Sequence, residues 1–163
     1  MFKALGLAAV ATVSNAAPQD FPAFDSTHSH CMTEVTYDKA CSEVFPGIKA
    51  TIESWFGEKS GPAQGTYALK ETDNKTYYWA TRKTPTRAFV DDVIFVLFEM
   101  GAAQCKVTGK SRSQSESYYD YETNYCNMWN VLDRSGGTDK INKVTLLQCP
   151  WVPVDPASRC AKY

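Results

Sequence analysis

The order of apolar and polar positions along the chain separates one helical stretch from a series of strands. Apolar residues recur at Cys41, Phe45, Ile48, Ile52, Trp55 and Phe56, steps that stay on one face of a helix. Pro46 falls inside this stripe, where it either kinks the helix or opens a fresh first turn. Gly57, Lys59 and Gly61 supply the stop. Beyond Pro62 the period changes. Residues 67–72 and 76–81 read as β segments around the polar turn Asp73-Asn74-Lys75. Val93-Ile94-Phe95-Val96-Leu97-Phe98 has no polar alternation at all, which predicts a strand buried on both faces in the middle of a sheet. Asp91, Asp92 and Glu99 flank that run and read as solvated charged gatekeepers against aggregation.

The remaining segments are less apolar. Residues 106–116, rich in Ser and Lys, read as a long solvated loop, and the aromatic, half-alternating residues 117–132 as another strand. A turn at 133–139 then leads to a closing strand at 144–149. Residues 17–40 are polar and proline-marked, which predicts a flexible N-terminal extension. Residues 150–163 hold three prolines and read as an irregular tail that Cys160 pins to the body. One helix followed by hairpin-connected strands predicts an α+β domain at 41–149, the helix covering a four- to five-stranded antiparallel sheet.

Composition narrows the function classes. The 163 residues are 44% hydrophobic, enough for one domain with its own core. Seventeen basic against eighteen acidic residues leave a net charge of −1, so no electrostatic case exists for nucleic acid or an anionic membrane. Lys3, the apolar run Leu5–Val13 and the small residues Ser14-Asn15-Ala16 form a secretory signal peptide at residues 1–16, too short to span a bilayer. The expected location is therefore extracellular. In that compartment Cys31, Cys41, Cys105, Cys126, Cys149 and Cys160 predict three disulfides with fifteen possible pairings. Asn74-Lys75-Thr76 is a sequon at the expected hairpin tip and marks Asn74 for N-glycosylation.

Few residues are suited to chemistry. His28, His30 and Cys31 are the one cluster with metal-ligand character, but Cys31 is expected to be oxidised and the two histidines to lie on a mobile segment. Asp91 and Asp92, adjacent on a strand, point to opposite faces and make no acid pair. No catalytic residue, metal or cofactor is expected, and the chain does not read as an enzyme. Tyr118, Tyr119, Tyr121, Tyr125 and Trp129, with Tyr77, Tyr78 and Trp79, either line a ligand pocket between helix and sheet or pack across strands.

Three stretches resemble the type 2 cystatins. Residues 95–105 (FVLFEMGAAQC) match in aromatic, Glu, Gly and Cys the pattern that closes a core strand of that family. Tyr125-Cys126-Asn127-Met128-Trp129 and residues 144–149 (VTLLQC) look like its last two strands. The resemblance implies a cystatin-like sheet, a Cys126–Cys149 bridge, and a secreted protein that occludes the cleft of papain-like cysteine proteases. By that resemblance Arg87, Ala88, Phe89, Val90 and Asp91 take the place of the QxVxG hairpin. Leu132, Asp133 and Arg134 take that of the Pro-Trp hairpin, and the Phe21–Phe24 segment is a third arm. These residues depart from the inhibitory motifs, with Asp91 where the family has Gly, and Pro150-Trp151 falls after Cys149, outside the hairpin. The other readings of the same fold are an extracellular carrier of a lipid or small apolar ligand and a non-inhibitory interaction or defence protein.

Overall fold

The sheet begins with a strand that lies in the expected extension. In the computed structural model, which describes residues 20–136 and 141–163, β1 is His30–Tyr37. It is followed by α1 (Cys41–Glu53), β2 (Thr66–Thr72), β3 (Tyr77–Lys83), β4 (Val90–Gly101) and β5 (Gln104–Ser113). Then come α2 (Thr123–Arg134), β6 (Ile141–Leu147) and α3 (Pro156–Cys160). All six strands join one antiparallel sheet of order β2-β3-β4-β5-β1-β6. The α+β class therefore holds, with six strands instead of four or five and two long helices instead of one. The expected signal peptide at 1–16 lies outside the described residues. Among the described residues no helix is long and apolar enough to cross a membrane.

β1 corrects the flexible reading of residues 17–40. It alternates strictly, burying Cys31, Thr33, Val35 and Tyr37, but Thr and Met among its members keep the apolar signal low. Residues ahead of it are also tied down. Phe21 packs on Trp79 at 5.4 Å, and Asp25 pairs with Arg112 at 2.7 Å. This segment covers the sheet face opposite the helices.

α1 forms where the apolar stripe placed it, burying Cys41, Val44, Phe45, Ile48 and Ile52. Pro46 lies inside it on the exposed side and does not end it. Glu99 accepts a hydrogen bond from the Cys41 amide at 3.1 Å, satisfying one of the unpaired donors at the start of the helix. β4 is central and buried on both faces as expected. Val93, Phe95 and Leu97 join Ile48 and Ile52 in the main core, whereas Ile94 and Val96 pack with Trp79 and Phe21 on the back. Each such side chain contributes about 1.5–3 kcal/mol before entropy is counted. Asp91 and Asp92 are not solvated gatekeepers: both are buried. The Asp92 carboxylate accepts hydrogen bonds from Lys70 Nζ, Trp79 Nε1 and Gln114 Nε2 at 2.9, 2.8 and 3.1 Å.

Two assignments change together. Residues 104–113, overlapping the expected loop at 106–116, are the strand β5, and 123–134, overlapping the expected strand at 117–132, are the helix α2. β5 does alternate, but its inward residues are Cys105, Val107, Gly109, Ser111 and Ser113, small or polar, so no apolar period marks it. α2 likewise buries Asn124, Asn127 and Asn130 beside Met128 and Val131. The small face of one and the amide face of the other fit each other. The C-terminal tail is ordered into α3 instead of remaining irregular.

The disulfides are Cys31–Cys149, Cys41–Cys105 and Cys126–Cys160, with Cα separations of 4.2, 4.8 and 5.0 Å. The Cys126–Cys149 bridge implied by the resemblance is not formed. With residues 123–134 helical, Cys126 belongs to the helix layer, while Cys149 lies past β6 with its sulfur 3.1 Å from the Met32 carbonyl; a disulfide requires Cα atoms within roughly 7 Å. Of the two segments likened to the last cystatin strands, Tyr125–Trp129 lies in α2, whereas residues 144–147 do lie in β6. In the chain-entropy account each observed bridge stabilises by roughly 4 kcal/mol.

α1 and α2 meet at Gly47, where a Cβ would stand 2.4 Å from the Ser135 carbonyl oxygen. Alanine outranks glycine in a helix by about 1 kcal/mol, but overpacking against backbone costs about 1–3 kcal/mol. Gly47→Ala should therefore lower stability in chemical denaturation. An increase would show that the two helices do not approach in this way.

Candidate functional site

At the end of the sheet where α2 begins, two loops and the tail border a cleft of about 1130 Å³. One wall is the β3–β4 connection, closed by the Thr84 amide donating to the Phe89 carbonyl at 2.8 Å and the Phe89 amide donating to Thr84 Oγ1 at 3.0 Å. The opposite wall is the loop 115–121. It is zipped to the N-terminal segment by Ser117 N donating to Thr27 O at 2.9 Å and Ser29 N donating to Ser117 O at 2.7 Å. Pro150, Trp151 and Tyr163 close the rim.

The floor is polar and buried. Asp91 and Asp120 both line the cleft yet are only 3% and 6% exposed. Asp91 accepts from Ser113 Oγ at 2.8 Å and Asn127 Nδ2 at 2.9 Å. Asn127 Nδ2 also donates to Ser111 Oγ at 3.2 Å, and Ser111 donates to Asn124 Oδ1 at 2.7 Å. Asn124 Nδ2 in turn donates to Ser29 Oγ and to Asp120 Oδ2 at 3.2 and 3.0 Å. The chain of bonds thus joins β4, β5, α2 and Ser29, the residue just ahead of β1, beneath the cleft.

The lip above this floor is held in an unfavourable backbone conformation. Tyr121 and Glu122 have φ of 50° and 75°, left-handed positions that cost a non-glycine residue roughly 1–2 kcal/mol each. Asp120 holds them by accepting from the Glu122 amide at 2.8 Å and the Asn124 amide at 3.2 Å. Arg159 of α3 pairs with the Glu122 carboxylate. Outward from the lip stand Tyr118, Tyr119 and Tyr121, with Trp151 beside Tyr119 and Phe89 on the β3–β4 wall; all five are between 42% and 68% exposed. Five of the ten exposed large apolar side chains among the described residues therefore line this one cleft.

The residues assigned by resemblance are divided. Arg87 and Phe89 are exposed on the cleft rim, Ala88 is exposed between them, Val90 opens β4 half-buried, and Asp91 is in the floor. Leu132, Asp133 and Arg134 are not in a hairpin. They end α2, roughly 15 Å along the helix from Thr123, with Leu132 buried and the Arg134 guanidinium over Trp55 at 5.5 Å. Phe21 is on the back of the sheet, and Phe24 stacks on His30 with ring centroids 4.3 Å apart. The three arms do not share an edge. The histidines are engaged elsewhere: His28 Nδ1 lies 2.8 Å from Asp25 Oδ1, and His30 Nδ1 lies 2.9 Å from the His28 carbonyl. Among the described residues no three His, Cys, Asp or Glu side chains converge as a metal site requires. The aromatic string is split as well. Tyr118, Tyr119 and Tyr121 enter the cleft, Tyr125 is buried on α2, and Tyr78 and Trp79 face opposite sides of β3. Trp151, set aside as falling outside the hairpin, is part of the rim. The floor asparagines and serines carried no sequence signal except that amides recur at 124, 127 and 130, a helical spacing.

No family model and no curated protein matches the chain. Solved structures similar to parts of it include a conserved protein from Geobacillus kaustophilus, at 9% identity and TM-score 0.43, covering 65% of this chain and 88% of that one. The Zhui aromatase/cyclase from Streptomyces sp. R1128 gives 12% identity and TM-score 0.36, covering 68% and 99%. The phosphoglucomutase pp63/parafusin from Paramecium gives 10% and 0.37, covering 71% of this chain and 22% of that one. All three scores are below 0.5, and no inference is taken from them.

Burial pushes the carboxyls of Asp91 and Asp120 above the ordinary carboxylate value, against the hydrogen bonds from Asn127, Ser113 and Asn124 that favour the charged form. A carboxyl raised in the folded state binds its proton more tightly there than in the unfolded chain. Its contribution thus favours folding at acid pH and is lost as pH rises from 3.8 through the folded value. Asp25 has the opposite sign: His28 and Arg112 hold it low, so its contribution changes only below 3.8. Asp91→Asn keeps the shape but cannot ionise. In thermal unfolding between about pH 4 and 8, its stability relative to wild type should rise with pH; a difference independent of pH would contradict the assignment.

Proposed function

We propose that the chain is a secreted, disulfide-stapled binding protein that takes a small ligand into the cleft at the start of α2. The observation carrying this reading is the convergence of five solvent-exposed aromatic side chains over a buried, hydrogen-bonded polar floor. Water does not favour leaving Tyr118, Tyr119, Tyr121, Trp151 and Phe89 gathered around one opening, and a pocket with apolar walls and a few fixed polar groups is the usual form of a small-ligand site. The strained lip at Tyr121 and Glu122 supports the same reading, because such backbone persists where the surroundings over-determine it, most often at sites of function. Three disulfides suit an oxidising, extracellular setting. The occlusion of a papain-like protease has no assembled contact edge behind it. The carrier reading keeps its support in altered form, as an open, hydroxyl-lined cleft in place of a closed apolar pocket.

A fragment library screened by two-dimensional NMR against the mature protein should give shifts concentrated at Tyr118–Tyr121, Trp151 and Phe89. Shifts centred elsewhere, or none, would remove the reading. In a eukaryotic secretory host, Asn74, exposed at the β2–β3 turn, should carry an N-glycan that Asn74→Gln removes. An unmodified mass for the wild type would contradict this.

A further inference from the structure

Resting on that reading of the cleft, we propose that its ligand is an uncharged oligosaccharide of three or more sugar rings, laid across Tyr121, Tyr119 and Trp151. These rings form a row with Tyr119 in the middle. Its centroid is 6.5 Å from that of Tyr121 and 5.7 Å from that of Trp151, with planes tilted by 36° and 44°. Tilted neighbours at these distances do not cover one another, and the three remain 68%, 65% and 42% exposed. Each therefore keeps surface free for a ligand, and the spacing is that of successive rings in a saccharide chain.

The charge pattern selects against the alternatives. Arg87 and Glu116 on the walls have opposite signs, and the floor adds only the carboxyls of Asp91 and Asp120, so an anion gains no attraction. Both floor carboxyls are already engaged by Ser113, Asn127 and Asn124 and are poorly placed to pair with a cation. An acyl chain would require an enclosed apolar tunnel, whereas this cleft is open and interleaved with hydroxyls. Those of Thr86 and Ser115 both donate and accept and rotate to suit, and Ser117 Oγ, which donates to the Tyr119 carbonyl at 3.1 Å, can still accept. A sugar ring has the matching form: one C–H-rich face that packs on an aromatic ring, and a perimeter of hydroxyls that also donate and accept. A planar base would stack equally well, but it is read by fixed in-plane donors and acceptors, which rotating hydroxyls supply poorly.

The test uses the mature glycoprotein titrated with cello-, chito-, laminari-, manno- and maltohexaose and with the corresponding monosaccharides, followed by tryptophan emission and NMR. Trp55 and Trp79 are only 5% and 2% exposed, half-buried Trp129 packs against the main core outside the cleft, and Trp151 is 42% exposed, so quenching by ligand reports chiefly on Trp151. At least one hexaose should bind, about tenfold or more tighter than its monosaccharide. Tyr119→Ala and Trp151→Ala should each weaken it roughly two- to tenfold. Met100→Ala, exposed and outside the cleft, should leave it unchanged. The proposal is overturned if none of the five hexaoses binds, if monosaccharide and hexaose bind alike, or if the two ring deletions have no effect. The apolar dye 8-anilinonaphthalene-1-sulfonate separates the two levels. Dye binding that depends on Trp151 without hexaose binding retains the cleft as a ligand site and rejects the saccharide; neither binding rejects both.

Discussion

The hydrogen-bonded seam between β5 and α2 is the constraint from which the site follows. A buried amide or carboxyl left without a partner costs about 1–3 kcal/mol; here Asn127 Nδ2 donates to Asp91 and Ser111, and Ser111 donates to Asn124, in a single arrangement that leaves Asn127 Oδ1 unpartnered. Sliding α2 by one residue along the sheet would break all of these bonds at once. Gly109 enforces the same seating from below, since a Cβ there would stand 3.0 Å from Met128 Sδ and 3.1 Å from Thr33 Oγ1. A purely apolar contact would stabilise as well but would fix the helix position less tightly.

With α2 seated, the residues before it have little freedom. Asp120 belongs to the polar network, so Tyr121 and Glu122 must make the turn into the helix in the left-handed region. Cys126–Cys160 and the Arg159–Glu122 pair bind the tail to the same place, and Cys31–Cys149 anchors the segment just before Trp151 to β1. The cleft is thus built from groups already immobilised by the fold. A ligand entering it orders few additional side chains, which is how preorganised sites convert contact into affinity.

What could be read from the sequence follows from where the stabilisation is apolar. α1 and β4 carry large side chains at regular spacing, Ile48, Ile52 and Phe95 among them, and both elements lie where their period placed them. β1, β5 and α2 could not be read in this way, because they bury Thr, Gly, Ser and Asn. Their stability comes from fit and hydrogen bonding between elements distant in sequence, such as Ser29 with Asn124, and a hydrophobicity pattern does not record such pairs. The site was hidden for the same reason. Asp91 was visible as a charge beside a strand and as a departure from the hairpin motif, and Trp151 only as an aromatic after Cys149.

The account stands or falls on α2 being a helix tied to the tail. A non-reducing peptide map of the protein measures this directly. It should recover Cys126 linked to Cys160, with Cys31 linked to Cys149 and Cys41 to Cys105. Recovery of Cys126 linked to Cys149 would return residues 123–134 to the sheet and dismantle both the polar seam and the cleft above it.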